Sequence, residues 1–267
     1  MSNRIDAMFE KKKKQGKKAL ITFITAGDPD INTTRRLVLA MEAAGADLIE
    51  LGVPYSDPVA EGPVIQAASV RALKNGMRMD ALFDLVESLR QDTQAPLVFL
   101  LYFNSILQHG PDRFFYRCAR AGVDGVIVPD LPLEESGEIH GDAKRHGVCL
   151  IRLVAPTSGD RIEAIAQKAE GFLYCVSSLG VTGVRSSFST DFGEFFGRID
   201  RSKAAPSAIG FGVSTPEQAA ALKKYCDGVI VGSAIVRRVG AAENADAAVK
   251  EVSDFVRGLR AALDDKG

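Results

Sequence analysis

Eight short runs of β-branched and apolar residues, each bounded by Gly, Pro or Asp, recur along the chain and alternate with segments of helical period. They are ALITFI (19–24), DLIEL (47–51), PLVFLL (96–101), GVIV (125–128), VCLIRL (148–153), GFLYCV (171–176), PSAIGF (206–211) and DGVIV (227–231). Each is too short and too uniformly apolar for a surface helix; strands of a parallel sheet covered on both faces read in this way. The stretches between them, such as Asn32 to Ala44, Asp112 to Ala121, Glu134 to His146, Asp160 to Ala169 and Thr215 to Lys224, are amphipathic, and several open on an Asp, Asn or Thr cap. Eight strand–helix units in 267 residues predict a closed (β/α)8 TIM barrel rather than an open doubly wound sheet, and no GxGxxG follows the first run to favour dinucleotide binding. The gap after the second run is about twice the others and holds two helical segments, Pro63 to Asn75 and Asp80 to Asp92, which predicts a helical insertion there. A further helix is expected before the first strand. No Pro, Gly or Ser-rich linker divides the chain, so one domain over 1–267 is expected.

Charge and cysteine usage narrow the function classes. The 33 Lys and Arg against 34 Asp and Glu leave a net charge of -1, which gives no overall reason to bind nucleic acid or an anionic membrane. An acidic ligand must therefore be held locally. The cluster Lys11 to Lys14 with Lys17 and Lys18 reads as a solvated helix face. Cys118, Cys149, Cys175 and Cys226 form no CxxC pair and have mostly apolar neighbours, so they read as small buried hydrophobes. The N-terminus runs into charge where a secretory signal needs an apolar core, and no apolar stretch approaches the ~20 residues of a membrane span. A cytoplasmic location is expected.

In a barrel of this kind the chemistry lies at the carboxyl ends of the strands and in the loops that follow. The second run ends in Glu50, a carboxylate in otherwise apolar surroundings. Burial disfavours its ionised form, so its pKa should rise toward neutrality, as a general acid/base requires; the bland alternative is a pairing with an internal Lys or Arg. The loop after it, GVPYSDPVAEGP, is stiffened by Pro54, Pro58 and Pro63 and carries Asp57 and Glu61, which either face the barrel mouth or are solvated. After the sixth run, SSLGVTGVRSSFSTD is long and Gly/Ser-rich enough to serve as a lid. The seventh and eighth runs end in Phe211-Gly212-Val213-Ser214 and Val231-Gly232-Ser233-Ala234. A glycine and a serine before a helix, repeated on consecutive strands, describe a phosphate site. No Lys lies within or at the carboxyl end of a strand to form a Schiff base, and His109, His140 and His146 fall in helices or at their ends, so no metal is expected. Carboxylate acid/base chemistry on a phosphorylated substrate remains.

The runs IELGVPYSDPVAEGPVIQAA and YCVSSLGVTG, with the FGVS and VGSAIV turns, resemble the tryptophan synthase α chains in order and spacing over essentially the whole sequence. The resemblance implies cleavage of indole-3-glycerol phosphate to indole and glyceraldehyde 3-phosphate. It also implies an α2β2 complex in which the β chain carries pyridoxal phosphate, this chain carries no cofactor, and indole passes between them through a tunnel. Carried across by position, Glu50 matches the catalytic glutamate, and Tyr174 an active-site tyrosine. Gly183, Gly212, Gly232 and Ser233 match the phosphate-binding residues. Phe23, Leu101 and Phe211 match the apolar indole pocket, Thr182 the threonine of the lid, and Asp57 and Pro58 the loop that meets the β chain. The second catalytic carboxylate, usually Asp in ADGP, is here Glu61 in Ala60-Glu61-Gly62-Pro63, and Ser178 stands where many relatives carry Arg. The extra methylene moves the charge by roughly 1 Å, a displacement that can cost on the order of 100-fold in rate. Two other readings keep the same fold: a different phosphate-binding barrel, such as a sugar or anthranilate phosphate isomerase, and an α-like subunit that mainly activates a β chain.

Overall fold

The structure, a computed structural model, describes residues 3–176, 192–210 and 212–265. Eight parallel strands close into a barrel in chain order: β1 (Ala19–Thr25), β2 (Leu48–Gly52), β3 (Leu97–Leu100), β4 (Gly125–Ile127), β5 (Cys149–Val154), β6 (Leu173–Val176), β7 (Ser207–Gly210) and β8 (Gly228–Val231), with β8 returning to β1. Around it run α1 (Arg4–Lys14), α2 (Ile31–Ala43), α3 (Pro63–Lys74), α4 (Met79–Leu89), α5 (Phe103–His109), α6 (Pro111–Ala121), α7 (Gly137–Arg145), α8 (Ile162–Gln167), α9 (Phe192–Asp200), α10 (Pro216–Leu222), α11 (Ser233–Ala241) and α12 (Ala245–Asp264). The insertion expected after the second strand is α3 with α4. The sequence does not mark α5, a short helix that ends where Gly110 takes φ +82°. Helix α7 starts at Gly137 rather than at Glu134, because 134–136 form a turn stabilised by the Ser136 hydroxyl donating to the Leu133 carbonyl. No helix among the described residues is long and apolar enough to cross a membrane.

Alternation along each strand sorts side chains into two layers. Ile21, Leu48, Val98, Ile127, Ile151, Phe172, Tyr174 and Ile230 fill the barrel, while Leu20, Ile49, Leu51, Phe99 and Val229 pack outward against the helices. The barrel floor is closed by α1, whose Ile5 and Phe9 join the interior, with the Phe9 and Phe172 rings 5.9 Å apart. The lysine cluster on this helix is therefore only partly a solvated face: Lys12 reaches Asp47 at 2.5 Å.

The same device joins three pairs of strands at the floor. Asp47, Asp124 and Asp227 immediately precede β2, β4 and β8. Their amides donate to the carbonyls of Leu20, Leu97 and Ser207 at 2.8, 2.9 and 2.8 Å. Their carboxylates accept from the amides of those same residues at 2.8, 2.9 and 2.9 Å. Each carboxylate also meets a cation, Arg260, Arg90 and Lys203 in turn. Fixed charge is thus concentrated at the amino-terminal rim of the barrel, opposite the loops that follow the strands.

Candidate active site

Leu48 faces the barrel interior while Ile49 and Leu51 face outward, so the pleat of β2 turns Glu50 inward. Its register partners are Phe23 on β1 and Val98 on β3. The side chain is fully buried, and neither carboxyl oxygen has a hydrogen-bond partner among the described residues. Burial alone pushes its pKa up to about 8. The internal Lys or Arg of the bland reading is absent among the described residues, and the group carries a proton at neutral pH.

Glu61 is delivered to the same pocket from the loop after β2, immediately before Gly62 and Pro63 start α3. It too is buried, with Oε2 unpartnered among the described residues, and burial raises its pKa to about 7 against the opposing effect of a hydrogen bond with Tyr102. Asp57, the other acid of this loop, is exposed and accepts from the Ser56 hydroxyl at 2.5 Å. Pro58 is half-buried and neighbours Val59, which is 74% exposed. The two acids left open by the sequence therefore part company, Glu61 inward and Asp57 outward.

Tyr102, which the sequence reading did not single out, shapes this loop. Its hydroxyl accepts from the amides of Val59 and Ala60 at 3.1 and 3.0 Å, leaving the phenolic proton for Glu61. Its ring packs on Tyr55, 5.0 Å between centroids. Tyr102→Phe removes the donor to Glu61 and should raise the Glu61 pKa above about 7 by about one unit, the equivalent of one hydrogen bond. A carboxyl-carbon NMR titration that finds it unmoved would show the phenol to be irrelevant to that charge.

Phe23, Ile65, Leu100 and Ile230 supply the apolar wall, with Tyr174, Gly212, Gly232 and Ser233 completing the pocket. Glu50, Glu61, Phe23, Tyr174, Gly212, Gly232 and Ser233 are thus brought together. Leu101 is not: it is 1% exposed in the layer between sheet and helices, and Leu100 lines the pocket instead. Val98 and Leu100 share the inner face of β3, and Leu101 lies one position out of phase. Thr182, Gly183 and Phe211, together with Ser178, lie outside the described residues.

The two turns expected to hold phosphate are unequal. Gly212 takes φ +92°, a conformation glycine accepts without strain. Ser214 is withdrawn, because its amide and hydroxyl both donate to Gln218 Oε1 at 2.8 and 3.0 Å. The helix that follows is capped by Thr215, whose side chain accepts from the Gln218 amide. At the eighth strand Gly232 is the N-cap of α11 and no side chain among the described residues caps it, so the first turn of that helix, beginning at Ser233, faces the pocket with backbone donors and a favourable dipole. Tyr174 occupies the space that Gly210 leaves without a side chain; a Cβ there would be 2.7 Å from its hydroxyl oxygen.

A pocket with two acids of raised pKa, an apolar wall and an anion-binding helix start suits proton transfer to and from an apolar molecule carrying a phosphate. Residues 9–264 match the family model described as tryptophan synthase alpha chain. The chain is 51% identical to the tryptophan synthase alpha chain of Caldanaerobacter subterraneus subsp. tengcongensis, over 98% of this chain and 100% of that one. It is 50% identical to that of Alkaliphilus metalliredigens, over 97% of each. Among solved structures, the tryptophan synthase subunit alpha of Legionella pneumophila superposes with a TM-score of 0.88 at 36% identity, covering 99% of both chains. A chain of Mycobacterium tuberculosis tryptophan synthase does so with a TM-score of 0.89 at 33% identity, over 98% and 99%.

Proposed function

The chain belongs to the tryptophan synthase alpha chain family, an enzyme-subunit family whose name implies a β-chain partner, and from that premise we propose that it cleaves indole-3-glycerol phosphate to indole and glyceraldehyde 3-phosphate. The observation that carries this reading is Glu50, a buried acid without a partner among the described residues, in one pocket with Glu61 and the start of α11. The reaction is a carbon–carbon lyase step, a retro-aldol cleavage in which the indole ring is the leaving group.

Glu50 gives its proton to the third carbon of the ring, which makes that ring an iminium. The hydroxyl on the adjoining side-chain carbon then loses its proton to Glu50 as the carbonyl forms, and the electrons of the breaking carbon–carbon bond return to the ring. One proton is given and one taken, so Glu50 ends as it began. Glu61, ionised, accepts the ring N–H bond and offsets the positive charge that develops there. Gly212, Gly232 and Ser233 hold the phosphate, and that remote binding orients the reacting bond. Phe23 and Leu100 flank the indole. Thr182 and Gly183 would act from the sixth loop, and Phe211 from the seventh.

Asp57, Pro58 and the exposed Val59 form the surface that meets a β chain, in an α2β2 assembly where pyridoxal phosphate belongs to the β chain and this chain holds no cofactor. The test is a steady-state assay of indole release from indole-3-glycerol phosphate by the chain alone and with its β chain. Indole is expected in both, faster in the complex; no indole in either would overturn the reading.

The two acids also set a pH profile. The working form has Glu50 protonated and Glu61 ionised, so kcat/KM should fall below about 7, as Glu61 gains a proton, and above about 8, as Glu50 loses one. The two limbs belong to the pair as a unit. A rate flat from pH 6 to pH 9, about one unit beyond each limb, would contradict these protonation states.

A further inference from the structure

Along β5, extending from its outer side to Val59 and Ala60 of the loop after β2, lies a cavity of about 580 Å³, within the range of small-molecule sites, which run from about 300 to 1,000 Å³. Its walls include Val128, Leu133, Leu150, Val154 and Ile165. Leu150 and Val154 belong to the layer between sheet and helices, and the pleat sends Arg152, between them, to the same side. Arg152 is 8% exposed, and its Nε has no hydrogen-bond partner among the described residues. The neighbouring charges are otherwise engaged. Glu170, the carboxylate whose field reaches it, bonds His140 at 2.8 Å, and Arg161 pairs with Glu134 at 2.5 Å. Asp130, the acid in the cavity wall, accepts from the Phe103 amide at 2.9 Å.

A guanidinium taken out of water is costly unless an anion meets it, and the shape that best matches its donors is a planar carboxylate. We propose that this cavity is a binding site for a small carboxylate with an apolar body, its charge paired with Arg152 and its body against Leu133, Val154 and Ile165. The cavity adjoins the pocket that holds Glu50 and shares Ala60, Pro129 and Leu153 with it, but Arg152 lines only the cavity, so filling that pocket with glycerol 3-phosphate separates this proposal from the reaction assigned there.

The probe is 3-phenylpropanoate, titrated into the full chain by calorimetry with glycerol 3-phosphate present in saturating amount to occupy the phosphate turns. Its neutral isostere 3-phenylpropanamide and inorganic phosphate are titrated in parallel, and the Arg152 Nε–H resonance is followed, assigned by its loss in Arg152→Met. Saturable binding of the acid with a shift of that resonance is expected. Loss of the charge pair should weaken binding about 10- to 100-fold, whether the amide replaces the acid or Met replaces Arg152. Four results would overturn the proposal: no binding of the acid, equal binding of acid and amide, phosphate binding as tightly as the acid, or binding lost when glycerol 3-phosphate is present. Asp191, the one acid in 177–191, supplies a further control. Binding that appears only in Asp191→Asn would mean that the chain's own carboxylate meets Arg152, which also overturns the proposal. The acid–amide comparison uses the wild-type chain and stands even if Arg152→Met fails to fold.

Discussion

Glu50→Gln is expected to abolish indole formation, lowering kcat by about 10²- to 10⁴-fold, the contribution of a positioned acid/base, while glycerol 3-phosphate binds as before. The amide keeps the shape of the side chain and loses the exchangeable proton. The proposed phosphate contacts lie elsewhere in the pocket, at Gly212, Gly232 and Ser233, so binding and turnover should separate. A variant that turns over near the wild-type rate removes Glu50 from the mechanism. Stability provides an independent readout with a defined sign. The folded pKa lies near 8, above the ordinary value of 4.5, so the native chain binds a proton more tightly than the unfolded one. Wild-type stability is therefore full below about pH 4.5 and declines as the pH rises through about 8, where a buried charge must be formed. Gln has no such charge. Denaturant unfolding should find Glu50→Gln more stable than wild type at pH 9, by a few kcal/mol, and close to it at pH 5, about half a unit above the ordinary carboxyl value. Equal stabilities at both pH values would mean that the carboxyl has solvent or a cation beside it.

Glu61→Ala is the second large effect, an expected fall in kcat of about 10²- to 10³-fold, the usual loss when one preorganised group facing transition-state charge is removed. The effect should fall on kcat more than on KM, because the charge it answers exists only once the ring is protonated. Glu61→Asp tests position rather than charge. Tyr102 meets Glu61 at the length of the longer side chain, with its hydroxyl tied to the Val59 and Ala60 amides. In this chain the bond to that phenol offsets the methylene by which Glu61 differs from the family's usual Asp; a shorter acid leaves it, and its expected loss is intermediate, on the order of 10-fold. If Asp and Ala both leave the rate unaltered, Glu61 has no part in the reaction.

The barrel was legible because its information is local. Runs of buried strand residues and capped amphipathic helices need no knowledge of their neighbours, and a carboxylate closing an apolar run, as Glu50 closes DLIEL, marks itself. Register was hidden for the opposite reason. In PLVFLL both faces of the strand are buried, so nothing in the run says whether Leu100 or Leu101 points inward. Tyr102 escaped notice because its partners are backbone amides about 40 positions away, and backbone amides carry no signature in sequence. Ser214 misled because its turn has the composition of an anion site, and only the path of Gln218 shows that its donors are spent. Arg152 was visible as a cation inside VCLIRL, but its Nε having no partner among the described residues is a property of space, not of spacing.

The aspartates at the floor divide labour along the barrel axis. Leu20, Leu97 and Ser207 are each gripped twice by a single residue of the adjoining strand, so their amide protons should exchange with deuterium only in molecules that open globally. Among the described residues the reacting end has no such clasps on its two acids. A chain put together in this manner tolerates revision of its chemistry without revision of its frame, and damage to the frame should appear as unfolding rather than as altered specificity.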